Sequence, residues 1–365
     1  MTLNGTMKAL VKPYGKRGLK MVNVPTPQRI GPGDVLIKVL AASVCGTDLH
    51  IYESDASIRE RVADNQIIGH EFCGEVIGVG SQVTKLAKGD IVSSESHVIC
   101  GTCAYCQDGL PHLCQEVALL GIDRPGGLAE YVVIPEQNAI LKSPHVSVEV
   151  AAMMDAYGNA VDTALCVPLI GKSVLVTGCG PQGLMAIAIA MAAGAKQVIA
   201  TEMYENRIET ANKILESYVR PNQTNRRDMI LDISKNPDGV VNKIYEATDG
   251  LGVDVLLEMS GADRAIKDGL DVLRNAGQAV ILGLSSSKKV EIPWTDLIFK
   301  GVTIYFRYGR HLYRTWSEGR NLLEFGLVDL EPLIHKPYFA LDNFEEAFQL
   351  QIDGKVAKVI FKPDL

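Results

Sequence analysis

Four cysteines, Cys100, Cys103, Cys106 and Cys114, follow the spacing C-x2-C-x2-C-x7-C. Cysteines two apart in a turn bring their thiolates to one side of a loop. Four soft thiolates satisfy tetrahedral zinc and leave no open position. Such a site is closed and structural, and would hold together a lobe over 98–115 that has little apolar core of its own. An iron–sulfur cluster is the rival reading, because C-x2-C-x2-C also surrounds such clusters. Four unrelated thiols is the weakest reading, since half of the eight cysteines fall in this one short stretch.

A second set of different chemistry precedes it. Cys45 opens the segment CGTDLH, and Gly69-His70-Glu71 follows some 25 residues later. A thiolate, an imidazole and a carboxylate form a mixed set suited to catalytic zinc with one position open. A single histidine on a strand is more often a satisfied structural residue. The metal reading of His70 gains weight from its conjunction with a third motif.

That motif is Gly178-Cys179-Gly180-Pro181-Gln182-Gly183, a G-x-G-x-x-G between the apolar run SVLVT and the helical run GLMAIAIAMAAGA. The first glycine permits a tight turn and the second a close approach of backbone to pyrophosphate. The third permits close helix–strand packing, with the helix N-terminus facing the phosphates. Strand before and helix after meet the contextual test for a dinucleotide site. Glu202 ends the next strand, where a carboxylate accepts both ribose hydroxyls and repels a 2′-phosphate. This predicts NAD over NADP. Arg207 either covers the adenine or ribose or is a solvated helix residue.

The elements that must position these groups change character along the chain. Residues 1–40 alternate as strands, and short apolar runs such as GEVIGVG and GDIVSS continue to about residue 155, broken by glycine and proline. This predicts an irregular β-rich domain, a partly open barrel. From there strands alternate with helices. Ser173–Thr177, Gln197–Glu202, Val253–Glu258 and Gln278–Gly283 read as strands of a doubly wound parallel sheet, an α/β arrangement. A final strand, VAKVIF, follows without indicating where it docks. The polar stretch 216–240 reads as a surface loop around a short strand.

Composition narrows the function classes. The chain has 365 residues, 47% hydrophobic and 22% charged, which suits two folded domains and excludes disorder as the main state. Its 36 basic and 43 acidic residues give a net charge of −7, with no basic block to meet nucleic acid. No run reaches the ~18–20 apolar residues of a membrane span. The N-terminus lacks the basic-then-apolar order of a signal peptide. The expectation is a cytoplasmic protein with no nucleic-acid or membrane partner. Its thiols would stay reduced and bind metal.

The GHE-x2-G-x5-G segment from Gly69 to Gly80, the cysteine lobe and the later GxGxxG, in this order, resemble the zinc-dependent medium-chain alcohol dehydrogenases over nearly the whole chain. Within them, CGTDLHIY, SHVICGTC, GNAVDTAL, LEMSGA, IFKGVTIY, GRHL and Trp316 are most similar to the L-threonine 3-dehydrogenase branch. The resemblance implies a GroES-like catalytic domain over 1–156 and 302–365, a Rossmann NAD domain over 157–301, and a homotetramer. It implies one catalytic and one structural zinc per subunit. Cys45, His70 and Glu71 match the catalytic ligands, Thr47 and His50 the proton relay, and Asp155 an acidic residue near the metal that is often glutamate in the family. Besides the glycines and Pro181, it matches Gln182, Glu202, Arg207, Leu282, Gly283, Leu284, Phe306 and Arg307 to NAD contacts. His97, just before the lobe, is either a substrate-pocket residue or a surface histidine.

The chain also departs from that pattern. Phe306, Arg307 and Tyr308 stand where the family tends to have small residues, and Arg314 where an acidic residue is common. Stretch 216–240 is longer than its counterpart. The expected reaction is oxidation of a secondary alcohol, L-threonine to 2-amino-3-oxobutanoate. The alternative is a polyol, cyclitol or sugar-acid dehydrogenase in which Arg307 or Arg314 meets the substrate, unless each is a plain ion pair. An NAD-binding regulator without catalysis and a zinc-binding scaffold are the remaining, weaker readings.

Overall fold

The computed structural model describes residues 5–218, 226–287 and 289–365, which divide into two compact units, 1–156 with 334–365 and 157–333. In the first, the chain runs through β1 (Thr6–Lys12), β2 (Lys20–Pro25), β3 (Asp34–Ser43), α1 (Gly46–Glu53), β4 (Gln66–Ile67), β5 (Glu71–Val79) and β6 (Ile91–Ser94). It continues through β7 (His97–Val98), α2 (Ala104–Gln107), β8 (Ala118–Leu119), β9 (Tyr131–Pro135), β10 (Ala139–Leu141) and α3 (Val148–Ala152). Helix α4 (Met154–Ala164) carries the chain into the second unit.

The second unit contains β11 (Ser173–Thr177), α5 (Pro181–Ala192), β12 (Gln197–Glu202), α6 (Glu205–Tyr218), β13 (Met229–Asp232), α7 (Val240–Ala247), β14 (Val253–Glu258), α8 (Asp263–Asp271), β15 (Leu273–Ile281), α9 (Trp294–Lys300), β16 (Thr303–Phe306) and α10 (Arg314–Glu324). Its six strands are all parallel, in the order β13-β12-β11-β14-β15-β16. This is the doubly wound 3-2-1-4-5-6 order, with the reversal between β11 and β14. β11, β12 and β14 are buried along their whole length, as strands covered on both faces must be. The apolar stretch Leu184–Met191 of α5 is buried too, so its hydrophobicity serves packing.

The chain then returns to the first unit with α11 (Phe344–Ile352) and β17 (Ile360–Phe361). β17 pairs antiparallel with β3, completing the order β10-β6-β5-β3-β17, with β9 also on β3. Register shifts within the β3–β5 pair break its regularity, as the interrupted apolar runs foreshadow. Phe72, Val76, Phe348 and Phe361 pack into one core.

Two sequence expectations need correction or restriction. Residues 302–333 belong to the second unit, not to the first, because β16 hydrogen-bonds to β15 and extends the parallel sheet. Only the segment from Ile334 onward returns. Within the polar stretch 216–240, β13 is the expected short strand, while 219–225 lie outside the described residues.

Candidate active site and metal centres

The mixed set in the first unit is assembled by three elements. β3 ends at Ser43, and Cys45 caps the N-terminus of α1. Its backbone N–H donates to Asp48 Oδ2 at 2.9 Å in a capping box. Gly69-His70-Glu71 leads into β5, which pairs with β3 and so brings Glu71 beside Ser43. One donor atom each of Cys45, His70 and Glu71 lies within 4.8 Å of the others. Asp155 is buried but outside this trio, with Oδ1 accepting the Ser96 N–H at 2.9 Å.

Three residues that sequence reasoning did not single out complete the environment. Asp48 is fully buried, with Oδ1 3.7 Å from His70 Nδ1. Lys358, 2% exposed at its side chain, donates from Nζ to Glu71 Oε2 at 2.5 Å and to the Val44 carbonyl at 2.9 Å. Ser43 Oγ donates to the same Glu71 oxygen. Oε2 is therefore clamped, while Oε1 is buried with no hydrogen-bond partner among the described residues. Burial alone would raise the Glu71 pKa, but Lys358, His70 and Ser43 hold it below the ordinary value. For His70, burial opposes charge, yet Asp48, Cys45 and Asp155 win and hold its pKa well above the usual imidazole value. The trio is thus a place that favours a cation. An orphaned carboxylate oxygen beside a thiol and an imidazole fits zinc. Asp48 could have been sought within CGTDLH; no sequence signal points to Lys358.

α1 also places Thr47 and His50 three residues apart, on neighbouring positions of one helix face. Thr47 Oγ1 is 3.9 Å from Cys45 Sγ. The His50 side chain is 64% exposed, with Nδ1 3.2 Å from Asp55 Oδ2. His97 is not a surface histidine. Its side chain is 12% exposed, and Nδ1 lies 2.9 Å from Glu95 Oε1 and 3.1 Å from Ser96 Oγ.

The four-cysteine lobe is gathered by α2 and the turns beside it. Cys114 Sγ lies 3.5 Å from Cys100 Sγ and 4.0 Å from Cys103 Sγ, and all four sulfurs fall within 4.8 Å of one another. These separations exclude S–S bonds and fit ligands around one ion. Backbone N–H groups of Thr102 and Cys103 bring the Cys100 thiol down to about 6. Desolvation and the neighbouring Cys103 push Cys106 up to about 12. Four thiolates can coexist there only around a positive charge.

In the second unit the expected nucleotide residues gather at the carboxyl ends of the parallel strands, where open α/β sheets bind ligands. Gly178 has φ +82°, the left-handed turn that glycine supplies. A Cβ on Gly183 would collide with the Gly178 carbonyl, whereas one on Gly180 would project into space whose nearest atom is Arg207 Nη1 at 3.9 Å. Pro181 is the first residue of α5. Glu202 is locked by three backbone donors, from Cys179 at 2.9 Å, Met203 at 2.7 Å and Tyr204 at 3.1 Å. Arg207 sits 3.8 Å from Glu202 and stacks on Tyr204, so it is not a freely solvated helix residue. Gln182 Oε1 is buried without a partner among the described residues, again at this edge.

Leu282 and Gly283 follow β15 and donate backbone N–H groups to the Glu258 carbonyl at 3.0 and 3.2 Å. Leu284 and Phe306 are strongly exposed. Arg307 behaves differently: its Nε donates to Asp162 Oδ2 at 2.6 Å, and a second nitrogen joins the same buried carboxylate. Arg314 pairs with Glu318 one turn along α10. Both unusual arginines are therefore engaged in ion pairs within the second unit.

Comparison with known proteins agrees with this geometry. Residues 31–145 match the alcohol dehydrogenase GroES-like domain and 181–326 the zinc-binding dehydrogenase domain. The chain is 43% identical over 356 residues, 97% of its length and 98% of the relative's, to L-threonine 3-dehydrogenase of Pyrococcus furiosus. It is 38% identical to that of Caldanaerobacter subterraneus, covering 99% of this chain and all of the relative. Among solved structures, a zinc-binding dehydrogenase from Sinorhizobium meliloti bound to NADP superposes with TM-score 0.86 at 26% identity, covering 99% of this chain and all of that one. The 2R,3R-butanediol dehydrogenase of Bacillus subtilis does so with TM-score 0.84 at 28% identity, covering 98% and 99%. The chain belongs to the zinc-dependent alcohol dehydrogenases and is an enzyme of that family. No helix of the described residues is long and apolar enough to cross a membrane.

Proposed function

We propose that the protein oxidises L-threonine at its 3-hydroxyl to 2-amino-3-oxobutanoate, with NAD as the acceptor. The observation that carries this is full-length similarity to several L-threonine 3-dehydrogenases, together with the chemically competent trio Cys45, His70 and Glu71. Zinc held there supplies a Lewis acid that lowers the pKa of an alcohol, and a second zinc on the four cysteines supplies a fixed lobe.

The chain's own residues supply the rest. The Thr47 hydroxyl, beside Cys45, can take the proton of the substrate hydroxyl only as it gives up its own, and the exposed His50 imidazole is the group suited to hand a proton to solvent. Lys358 holds Glu71 in place by a hydrogen-bonded ion pair, and Asp48 sets a buried negative charge 3.7 Å from His70. Glu202, with its three backbone donors, presents a fixed carboxylate to the cofactor ribose, which favours NAD over NADP. A mainly apolar cavity of about 90 Å³, lined by Thr177, Thr201, Ile233, Val240, Ala262 and Ala265, suits the adenine end. The exposed apolar residues Trp294, Ile298 and Phe299 on α9 suit burial between copies, in line with a homotetramer.

The test is NADH formation by zinc-loaded enzyme with L-threonine, allo-threonine, sorbitol, myo-inositol and sugar acids side by side. Turnover of L-threonine far above the others is expected. Turnover of a polyol or sugar acid alone would overturn the substrate while leaving the dehydrogenase chemistry intact. The pairing of Arg307 with the buried Asp162 argues against that alternative, because two of its nitrogens are already committed, whereas the exposed pair of Arg314 with Glu318 does not discriminate.

A further inference from the structure

The opposite edge of the parallel sheet carries a constellation that the dehydrogenase chemistry does not use. Side chains near the starts of β11, β12, β14 and β15 line a cleft of about 330 Å³, within the usual range of small-molecule sites. Asp254, 5% exposed, anchors it. Its Oδ2 accepts the Ser173 N–H and Oγ–H, both at 2.8 Å, and Oδ1 takes Arg274 Nη2 at 2.7 Å. Lys172 and Lys196 stand 3.9 and 3.7 Å from the same carboxylate. Arg227 joins from the segment before β13, 2.7 Å from the exposed Asp249.

Four cations thus converge on two carboxylates, a local surplus of +2 in a chain whose net charge is −7. Asp254 accounts for Arg274, which with Ser173 satisfies it. With Arg227 paired to Asp249, Asp254 does not neutralise Lys172 and Lys196 as well, and Lys196 lines the open cleft. Arg274 Nε is buried without a partner among the described residues. Guanidinium and ammonium groups clustered round a polar cleft are the donors that bind phosphate. A dianion would cancel the surplus.

We propose that this cleft is a binding site for a small phosphate monoester. It stands at the strand starts, away from the nucleotide loop at the strand ends, so it does not depend on the reading of the cofactor. The volume leaves room for a small organic body on the phosphate.

The test is phosphorus NMR and calorimetric titration of the full-length protein with glycerol 3-phosphate, with glycerol as the uncharged control. Saturable binding of the phosphate ester alone is expected, weakening as salt is raised. Lys196→Gln and Arg227→Gln should each lower the affinity about five-fold, the scale of one partly exposed ion pair. Both side chains are 58% exposed, so the fold tolerates the changes. Arg207→Gln, at the nucleotide edge, should leave binding unchanged. No saturable binding, or equal binding of glycerol, would overturn the proposal. So would binding that survives Lys196→Gln and Arg227→Gln but fails in Arg207→Gln, since the phosphate would then lie at the nucleotide loop.

Discussion

Cys45 and Glu71 bind the same expected ion but differ in what surrounds them. Cys45 is partly exposed and lies beside Thr47, while Glu71 is buried with one oxygen committed to Lys358 and Ser43. Cys45→Ser should lose one zinc per subunit and at least about 100-fold in turnover, with the cysteine lobe still loaded. Metal analysis beside an activity assay reads both, and a fully active one-zinc protein would refute the assignment. Glu202→Ala removes the acceptor fixed by Cys179, Met203 and Tyr204. It should narrow the preference for NAD over NADP by about 10-fold, on the scale of one charged hydrogen-bonded contact. An unchanged ratio in steady-state kinetics would take Glu202 out of the ribose site.

At the scale of elements, the lobe over 98–115 has only a four-residue helix and a single turn, and none of their residues is buried. Its order must come from the sulfurs. Cys103→Ser should therefore raise hydrogen exchange in this lobe while leaving β11 to β16 protected, readable by mass spectrometry. The starts of β11 and β14 are tied by Asp254 and Ser173. Burial raises the Asp254 pKa, but the Ser173 hydrogen bonds and the Arg274 and Lys196 charges overcome this and leave it lowered. A lowered carboxylate stabilises the fold above its unfolded pKa of about 4, and that contribution disappears as pH falls through the folded value. Asp254→Asn should then cost about 1–3 kcal/mol at neutral pH. In denaturant titrations the gap from the parent should close below about pH 4.

Over the whole molecule, the last 32 residues return to the first unit and set Lys358 against Glu71, 287 positions away in the chain. Lys358→Met would leave a buried carboxylate without its counter-charge, a loss of about 3–5 kcal/mol. The loss should be smaller with zinc bound, because the metal also neutralises Glu71. Unfolding curves with and without zinc measure the difference. Equal curves for parent and variant would show that the ion pair contributes nothing.

Much of this protein is legible in local spacing. The CxxCxxC run, the GHE segment and GxGxxG with its strand and helix are local patterns whose geometry is set within a few residues. Glu202 follows from the length of one strand–helix–strand unit. β11, β12 and β14 fall where their β-branched runs predict, because a strand buried on both faces leaves a continuous apolar record. Non-local pairing was the part that only the tertiary structure decided. The placement of 302–333 turned on an edge strand of mixed exposure, whose partner its own sequence does not specify. The engagement of Arg307 by Asp162, the clamp of Lys358 on Glu71 and the cations around Asp254 each join residues far apart in the chain. Charge pairs carry no periodicity along a sequence, so folding alone reveals which partner each one finds.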